Sequence, residues 1–142
     1  MRIYITFAIV AAIVSCAGCR EKQETNPEAE RAAIEAAESW LKLVDSDNYS
    51  QIWQEAAELF RSAGARDNWE KTFRALRTPM GKLVSREVTS TRYTTLAPGA
   101  PDGQYVIIQY KTSFENRLSA IETVTPVLEK DGKWRVFSYY IK

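Results

Sequence analysis

The sequence contains no histidine, and its only two cysteines, Cys16 and Cys19, lie close to the N-terminus. The absence of histidine removes the side chain that most often serves as a general base near neutral pH. It also removes the Ser-His-Asp and Cys-His arrangements and most zinc and iron sites. Both thiols precede the first predicted core element, so the folded part has no cysteine nucleophile. We therefore assign no catalytic residue, no metal site and no cofactor.

The sequence also lacks an excess of charge of either sign. It has 19 basic and 18 acidic residues, and removing residues 1–15, which contain Arg2 and no acidic residue, leaves 18 of each. Nucleic-acid-binding proteins carry basic patches or a high isoelectric point, so the composition gives no reason to expect a nucleic-acid partner. Phosphate-cradling glycine motifs are absent as well.

The N-terminus has the pattern of a secretory signal peptide. Met1-Arg2 is basic, the segment from Ile3 to Val14 carries no charge, and small residues follow it. Arg20-Glu21-Lys22 interrupts the apolar stretch before it reaches the roughly 20 residues that a membrane-spanning helix needs. We predict that residues 1–15 are a signal peptide and that the mature chain is exported. An uncleaved signal anchor is the alternative.

Cys16 is the predicted lipidation site. Ile13-Val14-Ser15-Cys16 resembles the bacterial lipobox, in which an aliphatic, a variable and a small residue precede a cysteine that is lipidated and becomes the new N-terminus. Cys19 is the alternative, although the residue three before it is a cysteine, and a Cys16–Cys19 disulfide is another. Residues 16–25 would then be a lipidated, charged tether. Ala17, where an aspartate would favour the inner membrane, predicts an outer-membrane location facing the periplasm.

Residues 26–142 are predicted to form one domain that begins with three helices. Asn26-Pro27-Glu28 is a capped helix start, and apolar residues then recur at helical spacing as far as Val44. We interpret Asp45 and Asp47, which follow, as capping groups for the second helix. The second helix has apolar residues at Ile52, Trp53, Ala56, Leu59 and Phe60 and is predicted to end at Gly64. The third helix has apolar residues at Trp69, Phe73 and Leu76 and is predicted to end at Pro79-Met80-Gly81.

From Leu83 onward the pattern changes to that of β-strands. Asp131-Gly132 suits a tight type I′ hairpin, and Pro126, inside the third run, indicates an edge strand or a bulge. The four runs are Val84–Thr95, Tyr105–Phe114, Ala120–Leu128 and Trp134–Ile141. Helices followed by adjacent strands predict an α+β domain, with three N-terminal helices packed against a curved, cone-like, four-stranded antiparallel sheet.

Arg77, Arg86 and Glu122 form the predicted polar cluster. The two arginines flank the junction between helices and sheet, and Glu122 lies in a run that is otherwise apolar or rich in threonine. If Glu122 points inward it can pair with an arginine, and such a pair stabilises the ionised carboxylate. A carboxylate held in this way is suited to a structural clasp or a ligand anchor rather than to catalysis. A solvated, outward-facing Glu122 is the alternative.

Aromatic residues make up 11% of the sequence. Because aromatic side chains bury large areas, most of them are expected to fill the core. Trp53, Tyr93 and Tyr110 are candidates for the rim of a ligand pocket, which would also need convergent polar groups.

Several sequence blocks together resemble one bacterial family. They are Trp40 with Leu43-Val44-Asp45, Arg77-Thr78-Pro79-Met80-Gly81, Pro98-Gly99-Ala100-Pro101-Asp102-Gly103, and Asp131-Gly132-Lys133-Trp134. They look like the family known as domain of unknown function 4019, from about Trp40 to the C-terminus. The resemblance implies an exported protein whose fold is similar to the nuclear transport factor 2-like superfamily, a cone of curved sheet lined by helices, and it implies no activity. Asp47 departs from the pattern, because a glycine is expected there.

These observations predict a lipid-anchored, non-enzymatic binding or accessory module of the cell envelope. Its partner would be another envelope protein or a small ligand. Two alternatives stay open. One is a small lyase-like or isomerase-like enzyme that uses a carboxylate in the cone, and the other is a structural subunit, such as a homodimer, that assembles through its sheet.

Overall fold

The structure is a computed structural model that describes residues 24–142. Along this part of the chain the helices come first and the strands follow. The elements are α1 (Pro27–Asp45), α2 (Tyr49–Glu55), α3 (Glu58–Ser62), α4 (Arg66–Arg77), a 3-10 turn (Thr78–Met80), β1 (Leu83–Thr94), β2 (Tyr105–Phe114), β3 (Arg117–Leu128) and β4 (Trp134–Ile141). The strands form one antiparallel sheet in the order β1-β2-β3-β4. The predicted signal peptide, both cysteines and most of the tether lie outside the described residues. Within residues 24–142, no helix combines the length and the apolar character needed to cross a membrane.

Helix α1 begins where the sequence predicts and covers the inner face of the sheet. The side chain of Asn26 accepts a hydrogen bond from the backbone N–H of Ala29 at 3.1 Å, and Pro27 occupies the first turn. One face of the helix is buried, at the spacing expected of an amphipathic helix. Its buried residues are Ala29, Ala33, Ala37, Trp40, Leu41 and Val44. The helix therefore supplies one wall of the core.

Strand β2 supplies the opposite wall of the core, because every second side chain along it points inward. Its inward-facing residues, all at most 1% exposed, are Val106, Ile108, Tyr110, Thr112 and Phe114. These are the five residues that the period-two pattern places on one face. The polar Thr112 on this buried face needs a hydrogen-bond partner, which the candidate site provides.

The sheet bends at irregularities in its pairing. Register shifts occur twice between β1 and β2, and again between β3 and β4 at Thr125/Pro126. Because β3 is an interior strand, Pro126 marks a bulge and not an edge. Bulges increase local twist and bend strands, and the predicted α+β fold with a curved antiparallel sheet is confirmed.

The predicted second helix is divided into two. Ala56 and Ala57 are extended, with ψ angles of 159° and 155°, and both are fully buried. The N–H of Ala57 donates to the carbonyl of Val136 in β4 at 2.8 Å. This tertiary hydrogen bond replaces a helical one, so the helical propensity of the alanine pair is overridden. The described residues therefore contain four α-helices instead of the three predicted.

The last hairpin also differs from the prediction. The N–H of Gly132 donates to the carbonyl of Glu129, and the N–H of Glu129 donates to the carbonyl of Lys133, each at 2.9 Å. Gly132 has a φ of 80°, and Asp131 is not among the residues with positive φ. A type I′ turn needs positive φ at both central residues. The connection is therefore a three-residue loop that ends in a left-handed glycine.

The turn at Gly81 ends the helical part as predicted. Gly81 has a φ of 75°, and an added Cβ would lie 2.9 Å from Oε2 of Glu115. That same oxygen accepts a hydrogen bond from the N–H of Lys82 at 2.9 Å. A side chain at position 81 would therefore meet both backbone strain and a steric clash.

An aromatic cluster fills the space between helices and sheet. Trp40 lies at its centre, with ring centroids of Phe60, Phe73 and Tyr139 at 6.1, 6.2 and 5.5 Å. Its indole N–H donates to the carbonyl of Ile52 at 3.0 Å. The interior of the cone is thus largely occupied by the protein's own side chains.

We expect Trp40→Ala to reduce the free energy of unfolding by about 3–5 kcal/mol, the usual cost of removing a buried aromatic side chain. Trp134 is a matched control, because it belongs to the same residue type but is only partly buried. Trp134→Ala should cost clearly less in urea unfolding. Equal losses for the two variants would contradict the central position of Trp40.

Candidate functional site

Glu122 lies in the middle of β3 on the face that the helices cover. It pairs in register with Tyr110 of β2 and with Ile141 of β4. Its exposed fraction is 0%, so the side chain points inward. A buried charge of this kind requires hydrogen-bonding or ionic partners.

The carboxylate of Glu122 accepts four hydrogen bonds. Its Oε1 accepts from Nε of Arg86 at 2.7 Å and from the hydroxyl of Thr112 at 2.6 Å. Its Oε2 accepts from the hydroxyl of Tyr139 at 2.6 Å and from Nη2 of Arg86 at 3.2 Å. An ionised carboxylate offers about four acceptor positions. All of them are occupied, which leaves none for a proton taken from a substrate.

Arg86 joins this carboxylate to a second one. It comes from β1, opposite Thr112, and its Nη1 and Nη2 donate to the two carboxylate oxygens of Asp45 at 2.7 and 3.0 Å. The guanidinium therefore contacts two acids in bidentate fashion, a geometry that lysine cannot reproduce. Burial opposes the charge of Arg86, but its hydrogen bonds to Asp45 and Glu122 outweigh that effect and raise its pKa.

Arg77 completes the polar cluster from the end of α4. Its Nη2 lies 3.3 Å from Oδ1 of Asp45, and its guanidinium carbon lies 4.4 Å from the centre of the Phe114 ring. Its Nε and Nη1 are buried without a hydrogen-bond partner among the described residues. Neither Nε nor Nη1 of Arg77 forms a hydrogen bond with Glu122. The two predicted arginines therefore have different roles. Arg86 binds the glutamate, and Arg77 binds Asp45.

Asp45 belongs to the polar cluster, although its sequence context predicts a helix cap. It is the last residue of α1, where the negative end of the helix dipole disfavours an acid. The two arginines offset that cost. The interpretation of Asp45 and Asp47 as caps is wrong, because Asn48 caps α2 by accepting from the N–H of Gln51.

Asp47 occupies the position where the resemblance implies a glycine. Its φ is 54°, and among the described residues it is the only one other than glycine with a positive φ. Aspartate tolerates this left-handed conformation better than most residues. Its carboxylate also accepts a hydrogen bond from the hydroxyl of Tyr49 at 3.0 Å, which ties the turn to α2.

Thr112 and Tyr139 were also absent from the predicted cluster. A signal for Thr112 existed, because it is a polar residue on the buried face of β2. Tyr139 was counted only among the aromatic residues. Its contact with Glu122 depends on the register of β4 against β3, which the sequence alone does not specify.

The three aromatic residues proposed for a pocket rim lie in different places. Trp53 packs in the aromatic cluster, 5.4 Å from Trp69 and 6.0 Å from Phe60 between ring centroids. Tyr93 is near the far end of β1, and its hydroxyl donates to the side chain of Gln104 at 3.2 Å. Tyr110 lines a cavity beside the polar cluster. The structure therefore does not bring the three together.

This cavity has a volume of about 240 Å³ and lies between α1 and strands β1 and β2. Tyr110, Arg86 and Asp45 are its least exposed polar lining residues, and Glu38 and Lys42 of α1 are exposed. The hydroxyl of Tyr110 is buried and has no hydrogen-bond partner among the described residues. Residues 24–142 contain no group of three or more acidic or cysteine side chains placed so that they could hold a metal ion.

Tyr139 gives the cluster a testable pH dependence. Burial and the neighbouring charge of Glu122 raise its pKa. The unfolded state therefore loses the phenolic proton first, near pH 10, and stability should be intact below that pH and fall as the pH rises. One such group contributes up to about 1.4 kcal/mol per pH unit.

We expect Tyr139→Phe to flatten the fall in unfolding free energy above about pH 10, measured by urea unfolding at a series of pH values. Tyr140→Phe is the control, because Tyr140 is 43% exposed and lies next to Tyr139 on the other face of the sheet. An unchanged slope in Tyr139→Phe would contradict the buried contact with Glu122.

Two solved structures have a weak similarity to this chain. A solved protein from Kribbella flavida DSM 17836 is 16% identical, with 78% of this chain and 85% of that chain covered and a TM-score of 0.46. A candidate ketosteroid isomerase from Shewanella frigidimarina NCIMB 400 is 12% identical, with 80% and 97% covered and a TM-score of 0.48. These likenesses are weak and carry no argument about activity. No curated protein sequence matches the chain.

The family comparison is more extensive. The profile of the family described as "Protein of unknown function (DUF4019)" matches residues 36–139. This range contains α2, α3, α4 and β1 to β3 in full, together with most of α1 and β4. It also contains every residue of the polar cluster. The chain therefore belongs to the DUF4019 family.

Proposed function

We propose that this chain is a lipid-anchored protein of the bacterial cell envelope whose domain binds a ligand or partner without catalysing a reaction. The observation that carries the non-catalytic part is the saturation of Glu122. Its four hydrogen bonds come from protein groups that are themselves held in place by strands β1, β2 and β4. A general base needs an acceptor position within reach of the substrate proton, and Glu122 has none.

The anchoring part rests on the sequence around Cys16. Residues 17–26 separate this cysteine from the first residue of α1, Pro27. A chain of that length spans at most about 35 Å, so the domain would stay close to the bilayer. The bacterial modification provides several acyl chains, and stable anchoring needs more than one.

Assembly through the sheet is a weaker candidate. The outer face of β3 and β4 exposes two large apolar side chains, Ile121 at 47% and Tyr140 at 43%. Their neighbours on that face are polar, among them Thr123 and Ser138. Isolated apolar side chains are normal on protein surfaces, so we give priority to binding by the domain itself.

The anchor is tested by fractionation and by incorporation of labelled palmitate in cells. The native chain should label and should sediment with outer membranes. Cys16→Ala should abolish both properties, whereas Cys19→Ala, the matched control, should retain them. Labelling that depends on Cys19 would move the anchor by three residues, and a chain that stays soluble in its native form would overturn the anchoring proposal.

The non-catalytic role is tested with Glu122→Gln. A glutamine amide would direct N–H groups at donors such as Tyr139 and leave Arg86 partly unpaired, so we expect a loss of about 3–5 kcal/mol in unfolding free energy. Glu87→Gln is the control, because Glu87 is exposed on the same sheet, and it should change stability by less than about 0.5 kcal/mol. The native protein should turn over no small hydroxy or keto compound. Turnover that disappears in Glu122→Gln without a change in melting temperature would overturn the proposal.

A further inference from the structure

A second cavity, which we call the α3 cavity, lies between α3, the loop that joins β1 to β2, and the end of β3. Its volume is about 550 Å³, within the roughly 300–1,000 Å³ that is usual for small-molecule sites. Pro101, Asp102 and Gly103 line it and belong to the Pro98–Gly103 block of the sequence. None of its lining residues belongs to the polar cluster around Glu122. The α3 cavity is therefore a separate candidate site.

The apolar surface of the α3 cavity is within reach of a ligand. Leu59 of α3 and Leu128 of β3 line it, and both are partly exposed. Tyr105 and Val127 are its most buried lining residues, at 1% and 6% exposed, and they pair with each other across β2 and β3. The two leucines thus provide the apolar contact, and the sheet fixes the position of the buried pair.

The wall formed by the loop between β1 and β2 is held against Tyr105. The Tyr105 hydroxyl donates to the carbonyl of Pro101 at 2.6 Å, and the N–H of Gly103 donates to the carbonyl of Thr95 at 3.1 Å. A Cβ at Gly103 would lie 3.2 Å from the Tyr105 ring, so glycine permits this close approach. Asp102 stands between these two fixed residues. A wall that is ordered before binding loses less conformational entropy when a ligand arrives.

Two of the four acidic residues that line the α3 cavity are engaged by the protein itself. Arg135 forms ion pairs with both Glu129 and Asp131. The other carboxylate oxygen of Glu129 accepts a hydrogen bond from the backbone N–H of Glu58 at 2.7 Å. Hydrogen bonds from Arg135 lower the pKa of Asp131 to about 2. These two carboxylates therefore serve to hold the turn between β3 and β4.

The other two acidic lining residues, Glu58 and Asp102, face no such partner. Both are exposed, so a molecule in the cavity can reach their carboxylates, and neither forms an ion pair within residues 24–142. Lys130 is the only basic residue among those that line the cavity. Lys130 and Arg135 together offset two of the four acids, which leaves an excess of two negative charges. Such an excess concentrates cations at the cavity.

We propose that the α3 cavity binds an organic cation in which an apolar chain joins two ammonium groups, that is, a diamine or polyamine. The proposal rests on the binding role proposed above and names the class of ligand for it. Glu58 and Asp102 pair with the ammonium groups, and Leu59 and Leu128 contact the methylene groups between them. An anionic ligand would be repelled by the excess negative charge, and an inorganic cation would leave the apolar surface without contact.

The test uses octamethylenediamine as the probe, because both of its amines are protonated at neutral pH. Octamethylene glycol and suberate are neutral and anionic comparisons with the same number of carbon atoms, and magnesium ion has the same charge without an apolar chain. Each is titrated at low salt, which limits screening, into the purified full chain in detergent, and the backbone amide NMR signals of Gly103 and Leu128 are followed. We expect saturable shifts with the diamine and an affinity at least about tenfold weaker for each of the other three, since each lacks either the charge or the buried methylene groups.

Variants that each remove one negative charge locate the site. Glu58→Gln and Asp102→Asn should each weaken diamine binding by about fivefold, the upper end of what an exposed ion pair contributes. Glu87→Gln is the matched control, because Glu87 is exposed but does not line this cavity, and it should bind within about twofold of the native chain. The glutamine variant at position 58 keeps the backbone N–H that binds Glu129, and melting temperatures verify that all three variants are folded.

Three outcomes would overturn the inference. One is the absence of shifts at Gly103 and Leu128 with the diamine, and another is equal affinity for the glycol, suberate or magnesium ion. Both are measured on the native chain and do not depend on how a variant folds. The third is an equal loss in all three variants, which would reduce the effect to net charge. Diamine binding by a chain that shows turnover, or that fails to label with palmitate, would leave this inference intact and remove the corresponding part of the proposed function.

Discussion

All four strands of the sheet meet at one buried carboxylate. Glu122 belongs to β3, and its hydrogen-bond donors are Arg86 of β1, Thr112 of β2 and Tyr139 of β4. Arg86 carries the connection on to Asp45 at the end of α1, and Asp45 is bound in turn by Arg77 of α4. Displacing any one strand would remove at least one hydrogen-bond partner from a charged group in the interior. The layers of the domain are therefore held in one mutual arrangement.

This network contributes more to the choice of the correct strand register than to the net stability of the fold. Burying ions costs hydration free energy that their attraction only partly returns, so apolar replacements for a buried ion pair are often equally stable. A one-residue slip of β2 or β4, however, would move Thr112 or Tyr139 to the opposite face of the sheet. Glu122 would then lose donors while staying buried. The network thus penalises incorrect registers that the apolar residues alone would distinguish less sharply.

The parts of the fold that could be predicted are those specified by local pattern. The alternation of β2, the Asn26-Pro27 helix start and the stop at Gly81 each depend on a few neighbouring residues. The break at Ala56-Ala57 depends on a hydrogen bond to Val136, 79 positions further along the chain from Ala57, and alanine by itself favours a helix.

The candidate site was predictable to the same limited degree. Arg77, Arg86 and Glu122 stood out as charges at a junction or in a buried run, and the structure brings Arg86 and Glu122 into contact. Asp45 did not stand out, because an acid followed by a turn looks like a helix cap when its distant arginine partners are unknown. Tyr110 stood out only as an aromatic residue. Its unpaired hydroxyl became apparent once the surroundings of its ring were defined.

The hydrogen bond between Ala57 and Val136 also hinders the addition of a strand from another chain to the sheet. β4 is an outermost strand, and its free backbone groups could template pairing with another chain. The extended alanine pair occupies part of that edge. At the other edge, β1 is interrupted by two register irregularities, which make a strand a poor partner for further pairing. Copies concentrated on a membrane by the proposed lipid anchor would meet one another often, and these two features would keep such encounters from extending into intermolecular sheets.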